Sequence, residues 1–135
     1  MANLFDLEIV TPKRVEFTGR VESVNCPGEQ GRFQVLHNHA PFLSSLAVGF
    51  MKVTDGEGKD AIYAVSGGIA QVFHNQMRIL ADSAERAENI DVERARAAQE
   101  RAEQRLKSKE ESTDTDRARS ALMRAINRLH VAERV

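Results

Sequence analysis

The sequence predicts a mainly β fold with an added α-helical part: an N-terminal antiparallel β-sandwich followed by a C-terminal antiparallel two-helix hairpin. Two observations lead to this fold class. The eight glycines, three prolines, six phenylalanines and one tyrosine of the 135 residues all lie at or before Phe73. After Phe73 the chain is rich in Ala, Arg, Glu and Leu and contains neither glycine nor proline, which favours helices. We therefore expect residues 1–85 to form the sandwich and residues 86–135 the hairpin.

The first part of the chain contains short apolar runs separated by turn residues. Turn signals with glycine or asparagine occur at residues 55–58, 66–68 and 75–76. Short strands at this spacing favour an antiparallel sandwich or barrel. The predicted strands are residues 4–10, 15–26, 33–36, 50–54, 61–66, 69–74 and 77–82.

The second part contains two helix start signals. Asn89 and Asp91 can each cap a first helix that runs to about Ser108. The Thr-Asp-Thr-Asp sequence of residues 113–116 offers a capping box for a second helix, which ends near Glu133. The polar link at residues 107–112 allows an antiparallel return.

Each predicted helix carries one apolar face made mostly of alanine. The two faces are expected to pack together as the seam of the hairpin. Because alanine is small, the helices approach closely but each contact buries little area, at roughly 25 cal/mol per Å². We therefore expect a hairpin of marginal stability that can move. The seam residues are Ala95, Ala98, Ala102 and Leu106 on the first helix and Ala118, Leu122, Ala125, Leu129 and Ala132 on the second.

The charge balance and the apolar runs argue against several classes of protein. A net charge of −1 and a pI near 6.4 give no reason to expect nucleic acid as a partner. The longest nonpolar run, residues 46–51, is far shorter than the ~20 residues of a membrane-spanning helix. Residues 1–8 lack the basic start and apolar run of a signal peptide, so we expect neither direct membrane insertion nor secretion. A single cysteine cannot form an internal disulfide, which fits a reducing cytoplasm.

Residues 27–43 combine glycines, prolines and histidines around a short apolar strand, which predicts a loop-strand-loop segment. The glycines do not indicate a phosphate-binding loop, because a strand and not a helix start follows them. On a strand, His37 and His39 would point to the same side and could together hold a transition metal. No third ligand lies nearby in the sequence, so turn or interface histidines are favoured over a metal site.

Four short motifs follow one another along the whole chain. They are Gly28-x-x-Gly31-x-Phe33-x-Val35-Leu36-x-x-His39-Ala40-Pro41, Ala64-Val65-Ser66-Gly67-Gly68-Ile69-x-x-Val72, Leu80-Ala81-Asp82-x-Ala84-Glu85 and Ala125-Ile126-Asn127-Arg128-Leu129-x-Val131-Ala132. Each motif alone has little specificity. Together, at this spacing and on this strand-then-helix layout, they resemble the epsilon subunit of the rotary ATP synthase.

The resemblance implies a non-catalytic rotor subunit with no required cofactor. The sandwich would clamp the gamma subunit, which forms the shaft, to the ring of membrane rotor subunits. The helices would lie folded on the sandwich or extend toward the alpha and beta subunits of the catalytic head, where they restrain ATP hydrolysis. The implied location is peripheral, on the cytoplasmic face of the bacterial plasma membrane, or on the thylakoid membrane in a plastid or cyanobacterium.

The same resemblance assigns rotor-contact residues. The loop that ends at Phe33 corresponds to the ring-facing region, and His39 corresponds to a shaft-facing position. This chain has Leu-His-Asn-His at residues 36–39, where the family often has Leu-Pro-Gly-His. The candidate rotor-contact residues are Glu29, Gln30, Gly31, Arg32, Phe33 and His39.

A second resemblance lies on the helices. The sequence Ile-Asp-x-x-Arg-Ala at residues 90–95 matches the Ile/Leu-Asp-x-x-Arg-Ala motif of epsilon subunits that bind ATP. ATP is therefore a candidate regulatory ligand. The candidate ATP-binding residues are Glu85, Ile90, Asp91, Arg94, Arg101, Arg124 and Arg128.

The arginine spacing is compatible with this ligand but does not require it. Arg94 and Arg101 share one helix face, and Arg124 and Arg128 share a face of the other helix. The two cationic faces could meet around a triphosphate. A charged helix face is more often simply solvated, and this alternative stays open.

Three classes of function remain. The first is the coupling and regulatory subunit that the resemblance favours. The second is a small metalloenzyme that uses His37 and His39, and a metal analysis of the purified protein would reveal it. The third is a free-standing nucleotide sensor whose helices close on ATP, which would purify without a gamma subunit.

Overall fold

A computed structural model describes residues 3–108 and 114–134 and confirms the predicted fold class. Strands form the first part of the chain and two helices follow. The strands are β1 (Phe5–Val10), β2 (Val15–Gly28), β3 (Gly31–Leu36), β4 (Phe42–Asp55), β5 (Asp60–Phe73), β6 (Gln76–Ala81) and β7 (Ala84–Arg86). A 3₁₀ turn (Ala87–Asn89) leads into α1 (Val92–Lys107) and α2 (Thr115–Ala132).

The strands pair in the order β1-β6-β5-β4-β2-β3, and β1 also pairs with β2, so that the sheet closes on itself as a flattened sandwich. Every pairing is antiparallel except that of β1 with β6. Alternate residues of the strands point inward, as on β6, where Met77, Ile79 and Ala81 are buried and their neighbours are exposed. The core therefore lies between the two halves of the closed sheet.

The prediction of a turn at residues 66–68 is wrong, because β5 continues through these residues. Gly67 and Gly68 adopt φ values of +79° and +125°, and Gly68 pairs with both Leu46 and Ala81. A Cβ atom on Gly68 would lie 2.2 Å from the carbonyl oxygen of Leu80. These glycines thus permit a close passage of backbones within a continuous strand.

Two further strand predictions need correction. β4 begins at Phe42 and not at residue 50, because its first half pairs with β5 along the register from Phe42 with Val72 to Leu46 with Gly68. The short strand β7 was not predicted, and it pairs with β5 beside Tyr63. Both stretches gain their strand conformation from a partner far away in the sequence.

The predicted turn at residues 55–58 is confirmed. The Asp55 carboxylate accepts hydrogen bonds from the backbone N–H groups of Glu57 and Lys59, and these bonds lower the pKa of Asp55 below its ordinary value. The turn predicted at residues 75–76 lies one residue earlier. His74 and Asn75 both have positive φ values, 50° and 56°, which makes them the two central residues of the β5–β6 hairpin.

The two helices begin at capping aspartates. Asp91 accepts a hydrogen bond from the N–H of Arg94 at 3.1 Å, and Asp114 accepts one from Arg117 at 3.0 Å. Asn89 belongs to the 3₁₀ turn and does not cap α1. Thr113 of the predicted capping box, and residues 109–112 of the predicted link, lie outside the described residues.

The hairpin packs through its alanine seam and lies against the sandwich. Ala95 and Ala102 of α1 and Ala118 and Ala125 of α2 are buried. Val131 of α2 is also buried, but it faces the sandwich. It belongs to a second apolar cluster, separate from the sandwich core, which comprises Ala64, Ala87, Ile90 and Val131 with Phe50, Ile62 and Ala132 around them. No helix in the described part of the chain is long and apolar enough to span a membrane.

Candidate functional site

A cavity of about 320 Å³ lies where the hairpin meets the sandwich. Strands β5 and β7 and Ser83, which lies in the connection before β7, supply one wall, and α2 supplies most of the other. Three predicted ATP-binding residues line it: Glu85, Arg124 and Arg128. The other lining residues are Ala64, Val65, Ser66, Ser83, Ala98, Ala121, Ala125 and Asn127.

Arg128 and Glu85 form a two-pronged ion pair across this cavity. The Nε of Arg128 donates to Oε2 of Glu85 at 2.9 Å, and its second bond, from Nη2 to Oε1, is 3.1 Å long. The two side chains are only 26% and 34% exposed. This charge-assisted pair therefore ties α2 to β7, and it already occupies the guanidinium with a carboxylate.

Arg124 is the unpaired cation of the cavity. It makes no hydrogen bond or ion pair with any other residue in the described ranges, 3–108 and 114–134. Ser66 and Ser83 hydrogen-bond to each other on the opposite wall. The titratable side chains that line the cavity are Arg124, Arg128 and Glu85, so their formal charge is +1, and the site can accept an anionic group.

The remaining predicted ATP-binding residues lie elsewhere. Ile90 is buried in the second apolar cluster, and Asp91 is the N-cap of α1. Arg94 and Arg101 are exposed and do not line the cavity. Each precedes a buried seam alanine by one residue, which places it about 100° around the helix from the inward face. The one residue of α1 that lines the cavity is Ala98.

The metal-site hypothesis required its two histidines to lie on a strand, and they do not. β3 ends at Leu36, and a turn follows in which the N–H of His39 donates to the carbonyl of Leu36 at 3.3 Å. Asn38 takes φ = 58° at the position where the family often has glycine, a conformation that asparagine tolerates. Within the described residues, no group of three or more His, Cys, Asp or Glu side chains could hold a metal ion.

Asn75 connects the histidine turn to two other segments at the same end of the sandwich. Its side-chain oxygen accepts from the N–H of Asn38 at 2.8 Å, and its side-chain N–H donates to the carbonyl of Leu4 at 3.1 Å. These bonds hold the N-terminal segment, the histidine turn and the β5–β6 hairpin together.

The predicted rotor-contact residues do not form one surface. Glu29 and Gln30 are exposed at the tip of the β2–β3 hairpin, with Gly31 beside them, whereas His39 follows the opposite end of β3. Phe33 and His39 are nevertheless linked, because each ring contacts that of Phe42, at centroid distances of 5.0 and 5.6 Å.

Arg32 points away from the hairpin tip. Its guanidinium donates to the side chain of Asn25 at 2.6 and 2.9 Å and stacks on the ring of Phe50, 3.7 Å from the centroid. Phe50 packs beside α2. Arg32 thus reaches the junction between sandwich and hairpin.

An exposed apolar surface on β4, β5 and β6 was missed from the sequence. Leu43, Ile69, Phe73 and Leu80 are between 44% and 69% exposed, and all four point outward from one face of the sheet. Ile69 and Leu80 are direct cross-strand neighbours. Strands with apolar residues on both faces are the sequence signal that could have revealed it. We call these four residues the outer apolar patch.

Comparison with known proteins identifies similar sequences over most of the chain. Residues 4–87 match the family model described as ATP synthase, Delta/Epsilon chain, beta-sandwich domain, and residues 88–133 match the one described as ATP synthase, Delta/Epsilon chain, long alpha-helix domain. The chain is 49% identical over 109 residues to the ATP synthase epsilon chain of Desulforamulus reducens, an alignment that covers 81% of this chain and 82% of the relative.

Solved structures give a matching result. The fold is similar to that of a chain in the OSCP/F1/c-ring structure of the Euglena gracilis mitochondrial ATP synthase, with a TM-score of 0.78 and 25% identity over 90% of this chain and 76% of that chain. A chain of the Tetrahymena thermophila mitochondrial ATP synthase central stalk and c-ring gives a TM-score of 0.55 at 13% identity, covering 96% of this chain and 93% of that chain. The second likeness concerns the fold alone.

Proposed function

Because this chain belongs to the ATP synthase delta/epsilon family, we propose that it acts in the central stalk and joins the gamma shaft to the membrane rotor ring through its sandwich. The resemblance predicted from the four motifs is thus confirmed at the level of the family. Epsilon chains are non-catalytic subunits of the complex, which leaves no role for the metalloenzyme alternative.

The outer apolar patch is the observation that carries this proposal. Monomeric soluble proteins rarely leave a contiguous group of large apolar side chains exposed unless it serves an interface. A face of a rigid sheet, unlike a mobile loop, presents such side chains at fixed spacing to a partner. We assign this face to gamma. The Glu29–Gln30 tip and the His39 turn then remain as contacts to the rotor ring and the shaft. A free-standing nucleotide sensor would not need the patch.

Binding to the cognate gamma subunit tests the assignment. Ile69→Ser and Leu80→Ser remove apolar area from the centre of the patch and are expected to weaken binding about tenfold or more, since a central apolar anchor is typically worth 1–3 kcal/mol or above. Val15→Ser is the matched control, because Val15 is 56% exposed on β2, outside the patch. Unchanged affinity for Ile69→Ser and Leu80→Ser, with circular dichroism showing a folded protein, would remove the patch from the gamma interface.

The helical hairpin serves as the regulatory part of this proposal. Its attachment to the sandwich includes a small apolar cluster, the Glu85–Arg128 pair, the stacking of Arg134 on Phe50, and hydrogen bonds from Asn127 to the carbonyls of Gly49 and Val65 at 2.9 and 3.5 Å. An attachment of this size can be opened by a competing surface of moderate affinity. The released helices would then contact the alpha and beta subunits and restrain ATP hydrolysis.

ATP is the ligand we assign to the cavity between hairpin and sandwich. Its phosphates would take the place of Glu85 on Arg128 and recruit Arg124, since phosphate oxygens accept charge-assisted bonds from both guanidiniums. Arg94 and Arg101 join the site only if α1 turns about its axis. Ile90 and Asp91 support the site through the apolar cluster and the helix cap. Bound ATP would therefore hold the hairpin on the sandwich.

A further inference from the structure

Two arginines from opposite sides of the hairpin–sandwich junction stack on the ring of Phe50. The guanidinium carbon of Arg32, from the β2–β3 hairpin, lies 3.7 Å from the centre of the Phe50 ring. That of Arg134, which follows the end of α2, lies 3.8 Å from the same centre. One aromatic ring therefore connects the loop side of the sandwich with the last turn of the hairpin.

Both arginines are close enough to influence each other. Burial lowers the pKa of Arg32 below its ordinary value, and the charge of Arg134 lowers it further. The two cations repel one another, while the negative face of the ring attracts each of them. The ring therefore holds two like charges near each other, so the position of each guanidinium depends on the other.

Neighbouring contacts make the connection continuous. The side chain of Asn25 fixes Arg32 from the sandwich side with two hydrogen bonds. On α2, Asn127 donates to the carbonyl of Gly49, the residue before Phe50. Val131, which lies between Asn127 and Arg134 in the sequence, is buried. A cavity of about 420 Å³ adjoins this contact and is lined by Glu29, Arg32 and Phe50 on one side and by His130 and Arg134 on the other.

We propose that Arg32, Phe50 and Arg134 form a relay that couples the β2–β3 hairpin to the position of α2. A partner that offers a carboxylate to Arg32 draws it off the ring, removes its repulsion of Arg134 and so strengthens the hold on α2. In the reverse direction, docking of α2 brings Arg134 onto the ring and loosens Arg32 for such a partner. Thermodynamic linkage requires both directions to have the same magnitude. The inference rests on the proposed function in one respect, that the helical hairpin docks and undocks.

Amide hydrogen exchange on the isolated full chain, without ATP or other subunits, tests the relay. Arg134→Gln is expected to slow exchange in the β2–β3 hairpin, at amides such as that of Glu29, which is bonded to Ser45, because Arg32 is then no longer repelled from the ring. Arg32→Gln is expected to slow exchange in the last two turns of α2, because Arg134 is then no longer repelled from the ring. Each effect should be about two- to fivefold, as expected for relieving the repulsion between two partly exposed charges. Arg119→Gln, an exposed arginine of α2 outside the relay, is the matched control.

A ring substitution separates the aromatic face from simple packing. Phe50→Leu keeps an apolar side chain in the cluster but removes the ring, so it should speed exchange at both ends. Because the two guanidiniums can then move apart, Arg134→Gln should no longer slow exchange at the β2–β3 hairpin. Phe50→Tyr keeps the ring and should preserve the coupling. If Arg134→Gln speeds exchange in the β2–β3 hairpin or changes it only within α2, or if Arg119→Gln has the same effect at the β2–β3 hairpin, the relay is overturned. Because no nucleotide or gamma subunit enters the measurement, this failure is distinct from failure of the proposed function.

Discussion

Arg128 is the residue on which the nucleotide proposal depends most, because Glu85 holds its guanidinium when no nucleotide is bound. The carboxylate satisfies the charge that a phosphate would otherwise satisfy. ATP must therefore compete with a local partner, and the free energy of binding is reduced by the cost of separating the pair. The adjacent Arg124, which has no such partner among the described residues, can bind a phosphate without this cost.

We predict that ATP raises the thermal midpoint of the isolated protein and that Arg128→Ala or Arg124→Ala removes the increase. A ligand at one hundred times its Kd adds about 2.7 kcal/mol of stability, which corresponds to a rise of several degrees for a domain of this size. Arg119→Ala, on the same helix but outside the cavity, should keep the full increase. Calorimetric titration without magnesium measures the binding directly.

The same titration decides whether α1 participates. If Arg94→Ala and Arg101→Ala both bind ATP as the unsubstituted protein does, the nucleotide uses the arginines of α2 alone. If Arg94→Ala abolishes binding, α1 must turn to bring that side chain inward. Absence of binding heat at millimolar ATP in the unsubstituted protein would reduce the whole motif to a solvated helix surface.

At the residue scale, the sequence already indicated that Arg94 and Arg101 face away from the seam, but the prediction from the arginine spacing did not use this information. The alanine seam predicted that Ala95 and Ala102 face inward, and the structure confirms that both are buried. Helical geometry then requires Arg94 and Arg101, one residue earlier, to point elsewhere. The pairing of Arg128 with Glu85 could not be predicted in this way, because it joins residues 43 positions apart through the docking of α2.

At the scale of single elements, the two helices begin at equivalent aspartate N-caps. Asp91 and Asp114 have similar φ values, −78° and −82°, and each accepts from the N–H three residues ahead. A side-chain cap of this kind is worth about 1 kcal/mol, and asparagine caps as well as aspartate does. Asp91 is also a candidate ATP-binding residue, whereas Asp114 is not.

We predict that Asp91→Ala and Asp114→Ala each lower the free energy of unfolding by about 1 kcal/mol, because each leaves a helix N–H unbonded. Asp91→Asn and Asp114→Asn should restore most of it. Urea unfolding followed by circular dichroism measures the effect. If Asp91 acts only as a cap, Asp91→Asn keeps ATP binding. Loss of binding in Asp91→Asn, with binding intact in Asp114→Asn, would show that the Asp91 carboxylate contacts the nucleotide.

The strands differ from the helices in how far local sequence determines them. Both helices were predicted within a few residues, because capping and seam residues lie within the element itself. β4 and β5 each run for 14 residues, and the prediction shortened the first and divided the second. Their glycines and serines resemble loop residues when considered alone, and only pairing between the two strands reveals them as strand.

At the scale of the whole molecule, the apolar residues form two separate clusters. The larger lies within the sandwich and draws all its buried members from residues at or before Ala84. The smaller lies between the sandwich and the hairpin and includes Ile90 and Val131. The order of the two parts could be predicted from composition, but the seat of α2 on β4 and β5 could not, because it depends on contacts between residues that are far apart in sequence.

This division predicts that the sandwich folds without the hairpin. Truncation after Glu88 keeps every buried residue of the larger cluster and the entire outer apolar patch. The truncated protein should therefore retain a β-type circular dichroism spectrum, unfold cooperatively and bind gamma as the full chain does. It exposes Phe50, Ile62 and Ala64, so a modest loss of stability and solubility is expected.

Reassembly of the catalytic complex with the truncated protein then tests the role of the hairpin. If the helices restrain ATP hydrolysis, the complex with the truncated protein should hydrolyse ATP faster than the complex with the full chain, while coupling to proton transport is kept. Lys107→Ala in the full chain is the matched control, because Lys107 is an exposed residue at the end of α1, away from the sandwich contacts. A truncated protein that is unfolded would show that the sandwich depends on the hairpin. Equal hydrolysis rates with a folded truncated protein would show that the hairpin has no inhibitory role, while leaving the assignment of the outer apolar patch to gamma intact.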